Sequence, residues 1–127
     1  LVERLRSSCA SALVCMAWLR AQPVLRAVPR GSRAVVTNDT RLPAYRRAGI
    51  RARKVGAARG RMRPLMHNKF VVGCDAQGAP MWVLVGSYNA TAHSRVNLES
   101  AVLIEDAATA RAFADEFEAI WRIGRPC

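Results

Sequence analysis

Six short runs of strand character alternate with segments of helical period or turn chemistry, and none of the six exceeds eight residues. That alternation restricts the fold more than any other feature of the chain. Ser11–Ala17 (SALVCMA) is an apolar run suited to a buried strand. Ala21–Pro29 reads as a short helix, with Pro23 tolerated in the first turn and Gly31 past the end. Arg33–Thr37 is a second strand, ending in the polar turn Asn38-Asp39-Thr40. Leu42–Ala48 is a helix stopped by Gly49, and Ile50–Val55 a third, more polar strand. Gly56–Pro64 is rich in glycine and arginine and reads as a loop. Met66–Gly73 (MHNKFVVG) is a fourth strand, joined through the hairpin-type stretch Asp75–Pro80 to a fifth, Met81–Val85. Asn97–Ile104 is the sixth. Asp106 then caps a last helix, in which Ala110, Phe113, Phe117, Ile120 and Trp121 form one apolar stripe. The stripe is core packing rather than a cofactor box. No internal repeat is present. The expected fold is α/β, a mixed β-sheet flanked by helices, in one domain over residues 1–127.

Size and composition agree with a packed domain. A chain of 127 residues that is 51% hydrophobic can build a core, and at this length roughly two-thirds of the unfolded surface is buried on folding. No apolar run approaches the ~20 residues of a membrane span. The chain begins at Leu1, which leaves a longer precursor and a lost signal or anchor open.

Charge is the strongest compositional signal. Twenty basic residues against nine acidic give a net +11, a field that draws polyanions: nucleic acid, an anionic membrane surface or a phosphorylated substrate. Only Lys54 and Lys69 are lysines, and arginine excess is also what a coding bias produces, so both readings stand. The arginines nonetheless gather upstream of the residues discussed next: Arg51, Arg53, Arg59, Arg61 and Arg63 precede His67, with no acid from Arg41 to Cys74. That block is expected to flank a phosphate entrance. The four cysteines have no CxxC pairing and only two histidines beside them, which argues against a zinc site. Reduced, mostly buried thiols are expected, in keeping with an intracellular or organellar compartment.

Two short stretches carry chemistry. In His67-Asn68-Lys69, placed on a strand, residues i and i+2 project from one face. An imidazole beside an ammonium suits phosphate chemistry, the first as nucleophile or acid/base and the second as fixed positive charge. In Gly86-Ser87-Tyr88-Asn89, after the next strand, Ser87 and Asn89 again share a face, and the glycine permits close backbone approach. A lone HxK arises by chance in many chains, and Ser87 and Asn89 also suit an ordinary turn. Two such pairs on adjacent strands are harder to dismiss. His93 has no comparable context and reads as a loop or surface histidine.

These stretches, MHNKFVVGCD, VLVGSYNAT, NLESAVLIED and FADEFEAIWR, resemble the phospholipase D superfamily, whose signature is HxKx4D followed by a GS/GxN segment. The likeness is to its single-motif branch, which includes a small bacterial endonuclease and the mitochondrial cardiolipin hydrolase (Zucchini-type) proteins, and it covers about Ser11 to Arg122. The resemblance implies His67 as the nucleophile that forms a phosphohistidine, Lys69 as a holder of phosphate oxygens, and Ser87 and Asn89 as the phosphate-binding pair. It implies Glu99 as the acid that orients the imidazole. The signature aspartate falls on Cys74, with Asp75 one residue later. Either a one-residue bulge restores Asp75 to that structural role or the role is lost.

One HxK per chain supplies one of the two histidines this chemistry needs, so the resemblance implies a homodimer with two His67 in one active site, or half of a longer two-motif protein. No metal or other cofactor is implied. The expected function is a metal-independent phosphodiesterase acting on a cardiolipin-like phospholipid or on nucleic acid. The alternative is an inactive nucleic-acid- or membrane-binding module that kept the fold. Mitochondrial or membrane-associated placement rests on the resemblance alone.

Overall fold

The computed structural model describes residues 1–37, 42–56, 66–91 and 99–126. Its elements run α1 (Val2–Ser7), β1 (Ser11–Met16), α2 (Gln22–Ala27), β2 (Arg33–Val36), α3 (Leu42–Arg47), β3 (Arg51–Lys54), β4 (Lys69–Cys74), β5 (Pro80–Gly86), β6 (Ala101–Ile104), α4 (Ala107–Ile123) and β7 (Arg125–Pro126). The strands form one mixed sheet in the order β6-β5-β4-β1-β2-β3-β7. β1, β2 and β3 are parallel, as strands joined by helical crossovers must be. β4, β5 and β6 continue the sheet as an antiparallel meander on the other side of β1.

Helices cover both faces. Val14, Met16, Val36, Val71 and Trp82 pack on one side with Leu5 of α1, Val24 and Leu25 of α2 and Tyr45 of α3. On the other, Cys15, Val35, Phe70, Val72 and Val83 pack against Ala110, Ala114, Phe117 and Ile120 of α4. The continuous apolar run of β1 is thereby explained: alternate residues enter opposite cores, and both are dry. Asp106 caps α4, its carboxylate accepting from the Thr109 N–H at 2.7 Å. Arg33 ties α4 to the sheet through a bidentate ion pair with Glu118, one arm at 3.0 Å, and lies over the Phe117 and Trp121 rings.

The structure departs from the sequence expectations in a few places. The fourth strand begins at Lys69 rather than Met66, because β1 ends at Met16, the residue paired with Lys69, and leaves 66–68 no ladder partner. His67 therefore precedes the strand. Helix α1 and the two-residue β7 were not expected; α1 is held by a single fully buried leucine, Leu5, and β7 by pairing to β3. The expected loop lies almost wholly outside the described residues, as do the Asn38–Thr40 turn and the start of the sixth strand.

The β4–β5 ladder shows why Gly73 is required. A Cβ there would fall inside the indole of its cross-strand partner Trp82. That indole is pinned, donating to the Ser8 carbonyl at 3.0 Å with the Arg4 guanidinium stacked on it. Gly73→Ala is expected to lower stability by about 2–3 kcal/mol in urea titration. A Trp82→Leu background should absorb much of that loss. Equal penalties in the two backgrounds would show that the clash is not the cause.

Candidate active site

The catalytic candidates converge at the end of the sheet where β1 and β5 finish and β4 begins. Lys69 opens β4 opposite Met16 and, two residues before Val71, shares the face covered by α1–α3. Its Nζ donates to the His67 carbonyl at 2.6 Å, so the HxK pair is joined through main chain rather than by two parallel side chains on a strand. The exposed His67 imidazole packs edge-on against Trp18, ring centroids 6.0 Å apart. The main-chain N–H of Trp18 in turn donates to Asn89 Oδ1 at 3.3 Å. Trp18 stands two residues past the end of β1, and the bridge from Leu19 to Ala90 clips that loop to the segment after β5. The Arg20 and Ala21 N–H groups both donate to the Ala90 carbonyl at 2.6 Å.

Gly86 sets the second half. A Cβ on it would collide with the Ser100 carbonyl, so only glycine lets the chain after β5 close onto the chain before β6. The Ser87 N–H donates to that carbonyl at 2.9 Å, and the Ser100 N–H returns a bond to Ser87 Oγ at 3.1 Å. The same hydroxyl donates to the Glu99 carboxylate. Burial pulls the Lys69 ammonium below the ordinary lysine value of 10.5, and the Glu99 carboxylate opposes that shift, which puts Glu99 within electrostatic reach of Lys69. Contacts thus join Asn89 to Trp18, Trp18 to His67 and His67 to Lys69, and separately Ser87 to Glu99.

Several expected roles look different here. Within one chain the neighbour of the His67 imidazole is Trp18, while Glu99 engages Ser87. Ser87 Oγ links the strand ends, and its phosphate-facing capacity competes with those bonds. Trp18 went unnoticed in the sequence, where only its position just past an apolar run marks it. Asp75 lies just past the opposite end of β4, about 20 Å along the strand direction from Lys69. Its Oδ1 closes the β4–β5 hairpin by accepting from the Gln77 and Ala79 N–H groups at 2.9 and 2.8 Å.

The ladder does shift register there, but Gly73 faces Trp82 and Cys74 faces Pro80, so the extra residue is Met81 on β5. The bulge does not move Asp75 into the place of Cys74, which stays buried in the α4-side core. Cys9, Cys15 and Cys74 are free thiols, and burial pushes Cys15 up to about 12, which makes it inert.

Of the basic block, Arg51 and Arg53 are among the described residues. Arg51 starts β3 opposite Arg33, at the end of the sheet away from His67, because β3 runs parallel to β1. Arg53 is occupied by α4: it donates to the Trp121 carbonyl at 2.7 Å with its guanidinium 4.6 Å from that ring. Arg59, Arg61, Arg63 and His93 lie outside the described residues. Among the described residues, no helix is long and apolar enough to cross a membrane.

Comparison with known proteins places this geometry. The structure is similar to Nuc, a phospholipase D family member from Salmonella typhimurium, with a TM-score of 0.78 at 21% identity over 99% of this chain and 87% of that one. NucT from Helicobacter pylori matches with a TM-score of 0.80 at 12% identity and the same coverage. TrmBL2, an archaeal chromatin protein with a novel mode of DNA binding, matches at 0.63 and 13% identity, over 99% of this chain but 48% of its own. No curated protein matches. The family model described as "Cardiolipin synthase, PLD-like domain" matches residues 1–121. With its HxK and GSYN pair at the end of a mixed sheet, the chain belongs to this phospholipase D-like family.

Proposed function

We propose that the chain is a metal-independent phosphodiesterase whose nucleophile is His67. The observation that carries the reading is the gathering of an exposed imidazole, an ammonium, an amide and a carboxylate at one sheet end, through the Asn89–Trp18–His67–Lys69 contacts and the Ser87–Glu99 bond. A nitrogen of His67 attacks phosphorus, a P–N bond forms, and the P–O bond to the leaving group breaks as a second histidine protonates that oxygen. Water then attacks the phosphohistidine, the second histidine takes its proton, and the P–N bond breaks to return free His67. Lys69 supplies fixed positive charge to the phosphoryl oxygens. Asn89, whose Oδ1 is engaged by Trp18, offers its Nδ2 donors, and Ser87 its hydroxyl. Glu99 serves as the acid that polarises the imidazole in the assembled site. Asp75 supports the fold from its hairpin. The second histidine is His67 of the partner subunit in a two-fold dimer. The substrate is a phosphodiester of a phospholipid or of nucleic acid.

His67→Asn should abolish turnover of bis(p-nitrophenyl) phosphate without moving the thermal midpoint, and wild-type activity should persist in EDTA with an acid-labile, base-stable adduct trapped on His67. Residual activity within tenfold of wild type, a barrier change below about 1.4 kcal/mol, would remove His67 from the mechanism. Inactivation by chelation that added metal restores would remove the metal-free route.

Assembly is tested by mixing. Wild-type and His67→Asn chains exchanged at fixed total concentration should show activity that follows the square of the wild-type fraction, since a heterodimer holds one histidine. Strict proportionality to the wild-type fraction would mean that each chain works alone.

The Lys69 charge sets the alkaline limit. Its depressed pKa means the ammonium is lost at lower pH than in an ordinary lysine, so the alkaline limb of kcat/KM should fall below 10.5. In Lys69→Arg that limb should move upward, because a guanidinium stays charged throughout. An alkaline limb identical in the two proteins would assign it to another group.

A further inference from the structure

The main chain around His67 is anchored, but its ring is not. Met66 is buried and accepts from the Cys15 thiol at 3.7 Å, and the His67 carbonyl takes the Lys69 ammonium. The exposed imidazole makes no hydrogen bond among the described residues and packs against the Trp18 indole. The two planes meet at 83° with centroids 6.0 Å apart, the edge-to-face geometry that aromatic pairs favour over a flat stack. Without that neighbour, an exposed side chain ahead of a strand samples several staggered rotamers.

Trp18 can restrain the ring because its own loop is fixed. Each residue from Ala17 to Ala21 makes a main-chain hydrogen bond. The Ala17 carbonyl accepts from the Thr37 N–H at 3.1 Å, and the Leu19 carbonyl from the Tyr45 hydroxyl at 2.9 Å. The Arg20 and Ala21 N–H groups share the Ala90 carbonyl. Ala17 and Leu19 are fully buried on either side of the half-buried indole. The loop is thereby tied to the end of β2, to α3 and to the segment after β5. Trp18 also meets the site through two separate groups. Its main-chain N–H holds the Asn89 amide, and its ring holds His67. A change of side chain removes the second contact and leaves the first.

We propose that Trp18 is a positioning residue for His67: its indole keeps the imidazole in the rotamer from which a ring nitrogen reaches phosphorus. The inference rests on the phosphodiesterase reading and concerns that same site. Attack requires the nitrogen within about 3–3.5 Å of phosphorus, and a displacement of about 1 Å costs on the order of 100-fold in rate. The ring contact narrows that geometry before substrate arrives. Phosphate binding falls to Lys69, Ser87 and Asn89, so the effect belongs to kcat rather than to KM.

The test compares Trp18→Leu, which keeps an apolar side chain, with Trp18→Phe, which keeps an aromatic ring. On bis(p-nitrophenyl) phosphate, Trp18→Leu should lower kcat about tenfold, the upper end of what one aromatic pair supplies, at an unchanged KM. Trp18→Phe should recover most of that loss. The contact itself is read by NMR of histidine-labelled protein without substrate. The chain has two histidines, and the His67 signal is the one absent from His67→Asn. The indole ring current should displace its ring-proton shifts from those of free histidine. That displacement should vanish in Trp18→Leu and persist in part in Trp18→Phe.

Wild-type kcat in Trp18→Leu would overturn the proposal, as would a loss carried by KM or an equal loss in Trp18→Phe. An undisplaced His67 signal in the wild-type chain would overturn it as well, and leave the phosphodiesterase reading to its own test. If Trp18→Leu does not fold, Trp18→Phe and Trp18→Tyr decide: kcat should follow the displacement of the His67 signal, and a kcat independent of it would refute the role. No turnover by a wild-type chain whose His67 signal behaves as described would sink the phosphodiesterase reading and leave Trp18 as the residue that orients His67.

Discussion

The antiparallel pairing of β1 with β4 is the joint on which the molecule depends. It connects the parallel half of the sheet to the antiparallel half, and it sets the last residue of β1, Met16, opposite the first of β4, Lys69. Three consequences follow from that one register. The loop after β1 brings Trp18 to the His67 ring. Lys69 takes the parity of Val71 and faces the α1–α3 side. Phe70 and Val72 take the other parity and enter the α4 core. A slip of one residue would turn Lys69 into the α4 core and Phe70 and Val72 out of it. Packing on two faces therefore holds Lys69 in place, at a penalty far larger than any single polar contact supplies.

The other half of the site is held differently. From Gly86 onward the strand ends are joined by hydrogen bonds of Ser87 to Ser100 and Glu99, in a partly exposed setting with little packing behind it. Such bonds contribute on the order of 1 kcal/mol each, so this side can exchange partners where the Lys69 side cannot. In the proposed mechanism a phosphate at Ser87 would replace the Glu99 carboxylate, one anion for another.

Much of this was legible in the sequence, and the reasons are local. The apolar run of β1, the Asp106 cap and the α4 stripe are each written within a dozen residues, and each appears where its pattern puts it. The close approach at Gly86 was legible as well, although its partner, the Ser100 carbonyl, was not. What failed depends on distant partners. His67 looks like a strand residue until β1 is seen to end at Met16. Asp75 looks like a displaced signature acid until its carboxylate is found closing a turn. Trp18 has no motif of its own, because its role comes from the Leu19–Ala90 bridge.

The arginines show the same division in electrostatic form. By sequence alone they make one block, and proximity to His67 along the chain was taken for proximity in space. The parallel run of β1, β2 and β3 breaks that link, since residues at the start of β3 return to the end of the sheet away from the site. Arg51 goes there, and Arg53 is taken by the Trp121 carbonyl and ring. Arg26 and Arg47 stand in the last turns of α2 and α3, toward the same end of the sheet as Arg51, because each crossover helix runs back to the start of the next parallel strand. An arginine-rich chain of this fold can hold its sheet together and still keep one face cationic, because the acids that neutralise its structural arginines lie on and around α4, on the opposite face.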